Sequence, residues 1–210
     1  MKHIALAFLA LSSAEGLLLA PDVEVTLDHA EAPDLAEWAG KAKTLTEEWY
    51  PKIAKELESE GFTPPGKVAI VFKAKQDAPG ATGGNRVSIS APFVRKHPDD
   101  WGMVVHELVH VVQKYPDPNP MWLTDGIADY VRDYVYEPGK RKIRIDPKKA
   151  SYKDSYATTA AFLGWLEKKS PGAVKKLNAA MRRKAYKPEL WTEVGGKDVD
   201  ALWKDFVASL

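Results

Sequence analysis

Apolar and polar positions along the chain alternate first with the period of strands and then with the period of helices. Val23-Glu24-Val25-Thr26-Leu27 alternates as a short strand. From Pro33 to Tyr50 the apolar residues Leu35, Trp38, Ala39, Ala42, Leu45 and Trp49 recur at helical spacing. Pro51 is expected to kink or restart that helix, which continues to Glu60 and stops at Gly61. After the turn at Pro64-Pro65-Gly66, Val68 to Phe72 reads as a buried strand. A glycine-rich loop over Ala78–Asn85 follows, and Arg86 to Ser90 alternates as a second strand, expected to run antiparallel to the first.

From residue 99 onward the pattern is helical. Asp99 or Asp100 can cap a helix reaching Gln113 or Lys114, and Pro116 to Pro120 forces an extended loop. Thr124 or Asp125 can cap the next helix, which runs to Tyr136. Further helices are expected over Tyr156–Lys169, Ala173–Lys184, Pro188–Val194 and Asp198–Ser209. Strands first and helices afterwards predict an α+β fold, with a small antiparallel sheet and a predominantly helical C-terminal part.

The N-terminus departs from both patterns. Lys2 precedes an apolar run from Ile4 to Leu11, and Ser12-Ser13-Ala14 supplies small residues after it. That is the layout of a secretory signal, expected over residues 1–14; an alternative end at residue 20 is disfavoured by Pro21. The run is too short to span a bilayer, and no cysteine follows it to carry a lipid. Residues 15–210 are then expected to form one domain, exported as a soluble secreted or periplasmic protein with no stable membrane anchor. With 30 basic and 29 acidic side chains, a balanced charge gives no reason to expect nucleic acid as partner. The chain has no cysteine, which excludes disulfides, thiol nucleophiles and thiolate metal sites. Any metal must be held by His, Asp or Glu.

One helical segment carries such groups. In Val105-His106-Glu107-Leu108-Val109-His110, the histidines are four apart, so on a helix both imidazoles project from one face and can share a cation. Glu107, about 100° further round, can reach a water beside the metal without ligating it. This is the HExxH zinc pattern of metallopeptidases, on a predicted helix as its chemistry requires. Burying two imidazoles and a carboxylate together without a cation would be costly. A third ligand is needed, and His3, His29 and His97 are poorly placed for it. In Met121-Trp122-Leu123-Thr124-Asp125-Gly126-Ile127-Ala128-Asp129, the two aspartates are again four apart on one face. One can ligate while the other accepts the second ring N–H of a ligand histidine. Gly126 and Ala128 are small enough to let this helix approach the HExxH helix closely.

Together these segments resemble a known family. Trp122-Leu-Thr-Asp125-Gly-Ile-Ala128 is similar to the WLxEGxA third-ligand motif of gluzincin metallopeptidases. More closely, VVHELVHVVQ followed by WLTDGIADYVR resembles the basic secretory protein family of plants and bacteria. The likeness extends through Val87-Ser-Ile-Ser-Ala-Pro-Phe-Val, Ser155-Tyr156-Ala-Thr-Thr-Ala-Ala-Phe-Leu-Gly-Trp-Leu, Lys176-Leu-Asn-Ala-Ala-Met and Leu202-Trp-Lys. The resemblance implies a zincin fold of the gluzincin kind. It implies one zinc per chain, held by His106, His110 and Asp125, with Glu107 as general base and Asp129 as the partner of a ligand histidine or the alternative ligand. It further implies a tyrosine as oxyanion donor, Tyr156 first and Tyr152 second, and an extended substrate paired along the edge of strand Arg86–Ser90. Two features depart from the family pattern: Asp125 is one methylene shorter than the usual glutamate, and the chain is not basic.

The expected activity is hydrolysis of peptide bonds in a peptide or protein. The alternative is a relative of weak or no activity that works as a binding or defence protein, against which the retained Glu107 argues. The tryptophans are expected in the core. The runs Lys140–Arg144 and Arg182–Lys184 read as solvated faces.

Overall fold

The computed structural model describes residues 23–210, so the expected signal segment lies outside the described residues. Strand β1 (Glu24–Asp28) leads through a short 3-10 turn into helix α1 (Ala36–Glu56). Pro51 sits inside α1 and removes one N–H from its ladder without ending it. The helix stops four residues earlier than expected, where the Leu57 N–H closes on Ile53 O. Strand β2 (Lys67–Lys73), β3 (Gly80–Gly83) and β4 (Arg86–Ser90) follow, then α2 (Ala91–Lys96) and α3 (Trp101–Gln113). The regular elements that follow are all helical: α4 (Met121–Tyr130) runs into a π-helical turn (Val131–Tyr136), and α5 (Tyr156–Lys169), α6 (Ala173–Arg182), α7 (Leu190–Gly195) and α8 (Val199–Val207) come after an irregular stretch.

The α+β class stands, but the sheet is mixed rather than antiparallel. Its order is β1-β2-β4-β3, with β1–β2 and β2–β4 parallel and only β3–β4 antiparallel. The glycine-rich segment expected as a loop supplies β3, which doubles back on β4. Its partner β4 has neighbours on both sides, so β3 and not Arg86–Ser90 is the sheet's edge at this end. The antiparallel partner of β4 is β3, which no apolar alternation announces: its sequence is Gly-Ala-Thr-Gly.

Core-facing residues of the sheet, among them Val68, Ile70, Phe72, Val87 and Ile89, are buried with the inner face of α1. Helix α3 lies deepest. Every residue from Gly102 to Gln113 except His110 is buried. Such a helix is apolar on nearly all sides, so the polar groups it does carry need partners. Its N-terminus is capped as expected, with the Met103 N–H donating to Asp100 Oδ1 at 3.2 Å. The C-terminal helices close round an aromatic cluster of Trp122, Tyr152, Phe162, Trp191, Trp203 and Phe206. All seven tryptophans are buried or pack against the core. Among the described residues, no helix is long and apolar enough to cross a membrane.

Helix α4 begins at Met121 with Pro120 as its N-cap, not at Thr124 or Asp125. The Pro120 carbonyl accepts the Leu123 N–H at 2.9 Å, which places both aspartates inside the helix, a turn apart. Gly126 faces α5 rather than α3: a Cβ there would lie 2.7 Å from Thr159 Cβ. The close approach that glycine permits therefore sets the spacing of α4 against α5.

Candidate metal centre

His106 and His110 point from one side of α3, and their Nε2 atoms lie 3.0 Å apart. What fixes the rings is on the other nitrogen of each. The His106 Nδ1–H donates to Asp129 Oδ1 at 2.7 Å, and Asp129 is almost fully buried. His110 Nδ1 lies 2.7 Å from Gln113 Oε1, one turn along the same helix. The Gln113 amide nitrogen donates to the Thr124 carbonyl at 2.9 Å, so its oxygen must face His110 and accept from it. Both imidazoles therefore carry their hydrogen on Nδ1 and present Nε2 lone pairs to a common point.

Two lone pairs facing each other at 3.0 Å repel unless a cation or a proton lies between them. Asp125 Oδ1 lies 3.6 Å from His110 Nε2, and one atom from each of His106, His110 and Asp125 falls within 4.8 Å of the others. Two imidazole nitrogens and a carboxylate are a donor set that fits a divalent metal, so these three residues could hold one. Asp129, spent on His106 and Arg141, stands behind the cluster.

The electrostatics of the cluster's own side chains follow from burial and from these pairs. Burial is the largest influence on His106 and pulls its pKa down, but the bond to Asp129 and the negative charges of Asp129, Glu107 and Asp125 together hold it above the ordinary imidazole value. Burial, and next the field of His106, push His110 down to about 4. Burial alone would raise Asp129, yet His106 and Arg141 keep its carboxyl below the usual range. Asp125 is raised by burial.

Glu107 is buried, and its Oε2 accepts from Thr82 Oγ of β3 at 2.7 Å. The strand lies directly on this side chain: a Cβ on Gly80 would come within 2.6 Å of Glu107 Cγ. Tyr156 is 55% exposed, one of the few large apolar side chains left in solvent, with its ring centroid 6.1 Å from that of His106. It enters α5 with φ of 46°, after Ser155 at 62°, both in the left-handed region that non-glycine residues seldom adopt. The charge of Asp125, then burial, raise the Tyr156 hydroxyl, so it stays a donor at neutral pH. Tyr152 is not brought to the site. It is buried in the aromatic cluster, and its hydroxyl donates to Asp200 at 2.9 Å.

These groups line a cleft of about 540 Å³ between β3, α3, α4 and the start of α5. Three functional side chains of the centre are not singled out by the sequence motifs. Gln113 continues the histidine spacing by three residues and was legible in principle. Thr82 lies in the strand read as a loop. Arg141 belongs to a basic run read as solvated, but it turns inward to Asp129 and Asp133. The second such run is corrected likewise: Arg182 is buried and donates to the carbonyls of Leu57 and Val112.

A family model described as "Peptidase of plants and bacteria" matches residues 61–206 of the 210. The chain belongs to this family. It is the basic secretory protein family that the motifs resemble, and its matched span holds every residue of the cluster, β3 and Tyr156. No curated protein and no solved structure matches the chain. Membership makes peptidase activity the family expectation, and the His106–His110–Asp125 cluster is where a metal for it could sit.

Proposed function

We propose that this member of the family is an exported zinc peptidase of the gluzincin kind, with one zinc held by His106 Nε2, His110 Nε2 and the Asp125 carboxylate. The observation that carries the reading is the convergence of three metal donors and a separately held carboxylate, Glu107, on one cleft. A purely structural metal site has no use for that fourth group. When bound, the ion supplies Lewis-acid polarisation of a water and of the scissile carbonyl.

The chain's own residues do the rest. Thr82 holds one oxygen of Glu107 from above, and the other takes the proton of the attacking water and passes it to the leaving nitrogen. Asp129 and Gln113 keep both ligand rings in the tautomer that leaves Nε2 free. Tyr156 donates its hydroxyl to the oxygen on which negative charge develops. The substrate lies extended along the outer edge of β3, whose backbone borders the cleft and, among the described residues, has no strand beyond it. That edge takes over the role expected for Arg86–Ser90. Export rests on the signal layout of residues 1–14.

The test is Glu107→Gln in the full chain. The variant should keep its zinc and lose cleavage of a broad peptide library. A wild type that binds zinc but cleaves nothing in the library would instead favour a binding protein built on a peptidase fold.

A further inference from the structure

Between the π-helical turn and α5 the chain runs through a segment with little regular structure, residues 137–151. It is rich in basic side chains, and most of them face solvent. Arg141 does not. Its Nη2 donates to Asp129 Oδ2 at 2.6 Å and also to Asp133 Oδ2, while its Nε donates to Asp133 Oδ1 at 2.6 Å. Both aspartates are nearly inaccessible, with side chains 3% and 4% exposed, whereas Arg141 reaches them from the cleft side at 32%.

The other oxygen of Asp129 is the one that accepts from His106 Nδ1. A continuous chain of charged hydrogen bonds therefore runs from the loop to a ligand imidazole. Among the described residues, the one other Lys or Arg paired with either aspartate is Arg132. Arg132 lies 4.0 Å from Asp133 and is already spent on Asp100 and Glu137. Without Arg141, two buried carboxylates one helical turn apart would face each other with their shared counter-charge gone. Asp129 would then be free to turn away from His106.

We propose that Arg141 is a positioning residue of the metal centre: it anchors Asp129, and through it His106, and so couples the order of the 137–151 loop to metal binding. This rests on the reading of His106, His110 and Asp125 as metal ligands. Because binding linkage is reciprocal, whatever Arg141 contributes to metal affinity the metal returns to the loop. Partners that touch a ligand histidine directly are worth about 10–100-fold in metal affinity, so one step further out about tenfold is expected.

The experiment is a zinc competition titration against a chromophoric chelator on the full chain. Wild type is compared with Arg141→Met, Arg141→Lys and His106→Ala, alongside thermal melts. Arg141→Met should bind zinc about tenfold more weakly while still folded, and Arg141→Lys should recover part of the loss, since lysine keeps the charge but not the fork. In the wild type, trypsin should cut after Lys142 and Arg144 more slowly with zinc than with EDTA. That second readout stands even if Arg141→Met fails to fold. Unchanged zinc affinity in a folded Arg141→Met, or in a folded Arg141→Lys together with zinc-independent tryptic cutting, would overturn the proposal and leave Arg141 a plain structural ion pair. Zinc binding that survives His106→Ala would overturn the ligand reading itself, and the coupling with it.

Discussion

Replacing Gly80 by alanine sets a methyl group 2.6 Å from Glu107 Cγ and 2.8 Å from its Cδ and Oε1. Ordinary carbon–carbon contact lies at about 3.5–4.0 Å, so about 1 Å must be found either in β3 or in the glutamate. The strand is the softer of the two. It is an edge strand, paired on one side only, whereas Glu107 is carried by the deeply buried α3. Overpacking of this size costs on the order of 1–3 kcal/mol, and the lower backbone freedom of alanine offsets part of it. The variant should therefore fold. Either way the carboxylate and Thr82 no longer meet as they do at 2.7 Å, and a displacement near 1 Å in a reacting group costs about 10²-fold in rate. The assay is kcat/KM on a fluorogenic peptide cut by the wild type, with zinc content and the melting temperature measured on the same samples. The expected result is full zinc, a small change in Tm and a hundredfold loss of activity. Wild-type kcat/KM in the alanine variant would refute the claim that β3 sets the position of Glu107.

Tyr156→Phe should keep zinc and lower kcat by roughly 10²-fold, the usual worth of one oxyanion donor; an unchanged kcat would leave the tyrosine as a cleft wall only. Arg182→Met strips the buried donor from Leu57 O, Val112 O and Gln113 O at the ends of α1 and α3. That should cost on the order of 3 kcal/mol. For a chain of this size it lowers Tm by roughly 6–12 °C, read by calorimetry, and a Tm near wild type would contradict it. The pH dependence of the metal-free protein tests the His106–Asp129 pair. Asp129 is depressed, so its contribution is present above its unfolded pKa of about 3.9 and is lost as pH falls through the lower folded value. His106 is raised, so its contribution is present below about 6.5 and is lost as pH rises through the higher folded value. In EDTA, the Tm gap between wild type and Asp129→Asn should be widest near about pH 5 and narrow on either side; a gap independent of pH would contradict the pair.

The helical half and the first donors were legible because their signals are local. The spacing of His106 and His110 needs only one helix, and so does the four-residue step between Asp125 and Asp129. Pairing of strands is not local. Nothing in Gly-Ala-Thr-Gly announces an edge strand, since glycine and alanine bury no alternating face, and the identity of that strand decides both the sheet's mixed topology and the partner of Glu107. Basic runs mislead for a related reason. The sequence of 140–144 or of 182–184 does not say which arginine meets a buried carboxylate or a helix end, because Asp129 and Leu57 are brought there by other elements. The aspartates could be placed on one face, but their roles separate only when His106 Nδ1 is seen to face Asp129 and His110 Nε2 to face Asp125.

Diffraction from zinc-loaded crystals, recorded on either side of the zinc edge, tests the centre most directly. A single anomalous peak is expected about 2.0–2.2 Å from His106 Nε2, His110 Nε2 and one carboxylate oxygen of Asp125, with Asp129 still on His106 Nδ1. No peak between the two histidines, or a peak bonded by Asp129 in place of Asp125, would contradict the account.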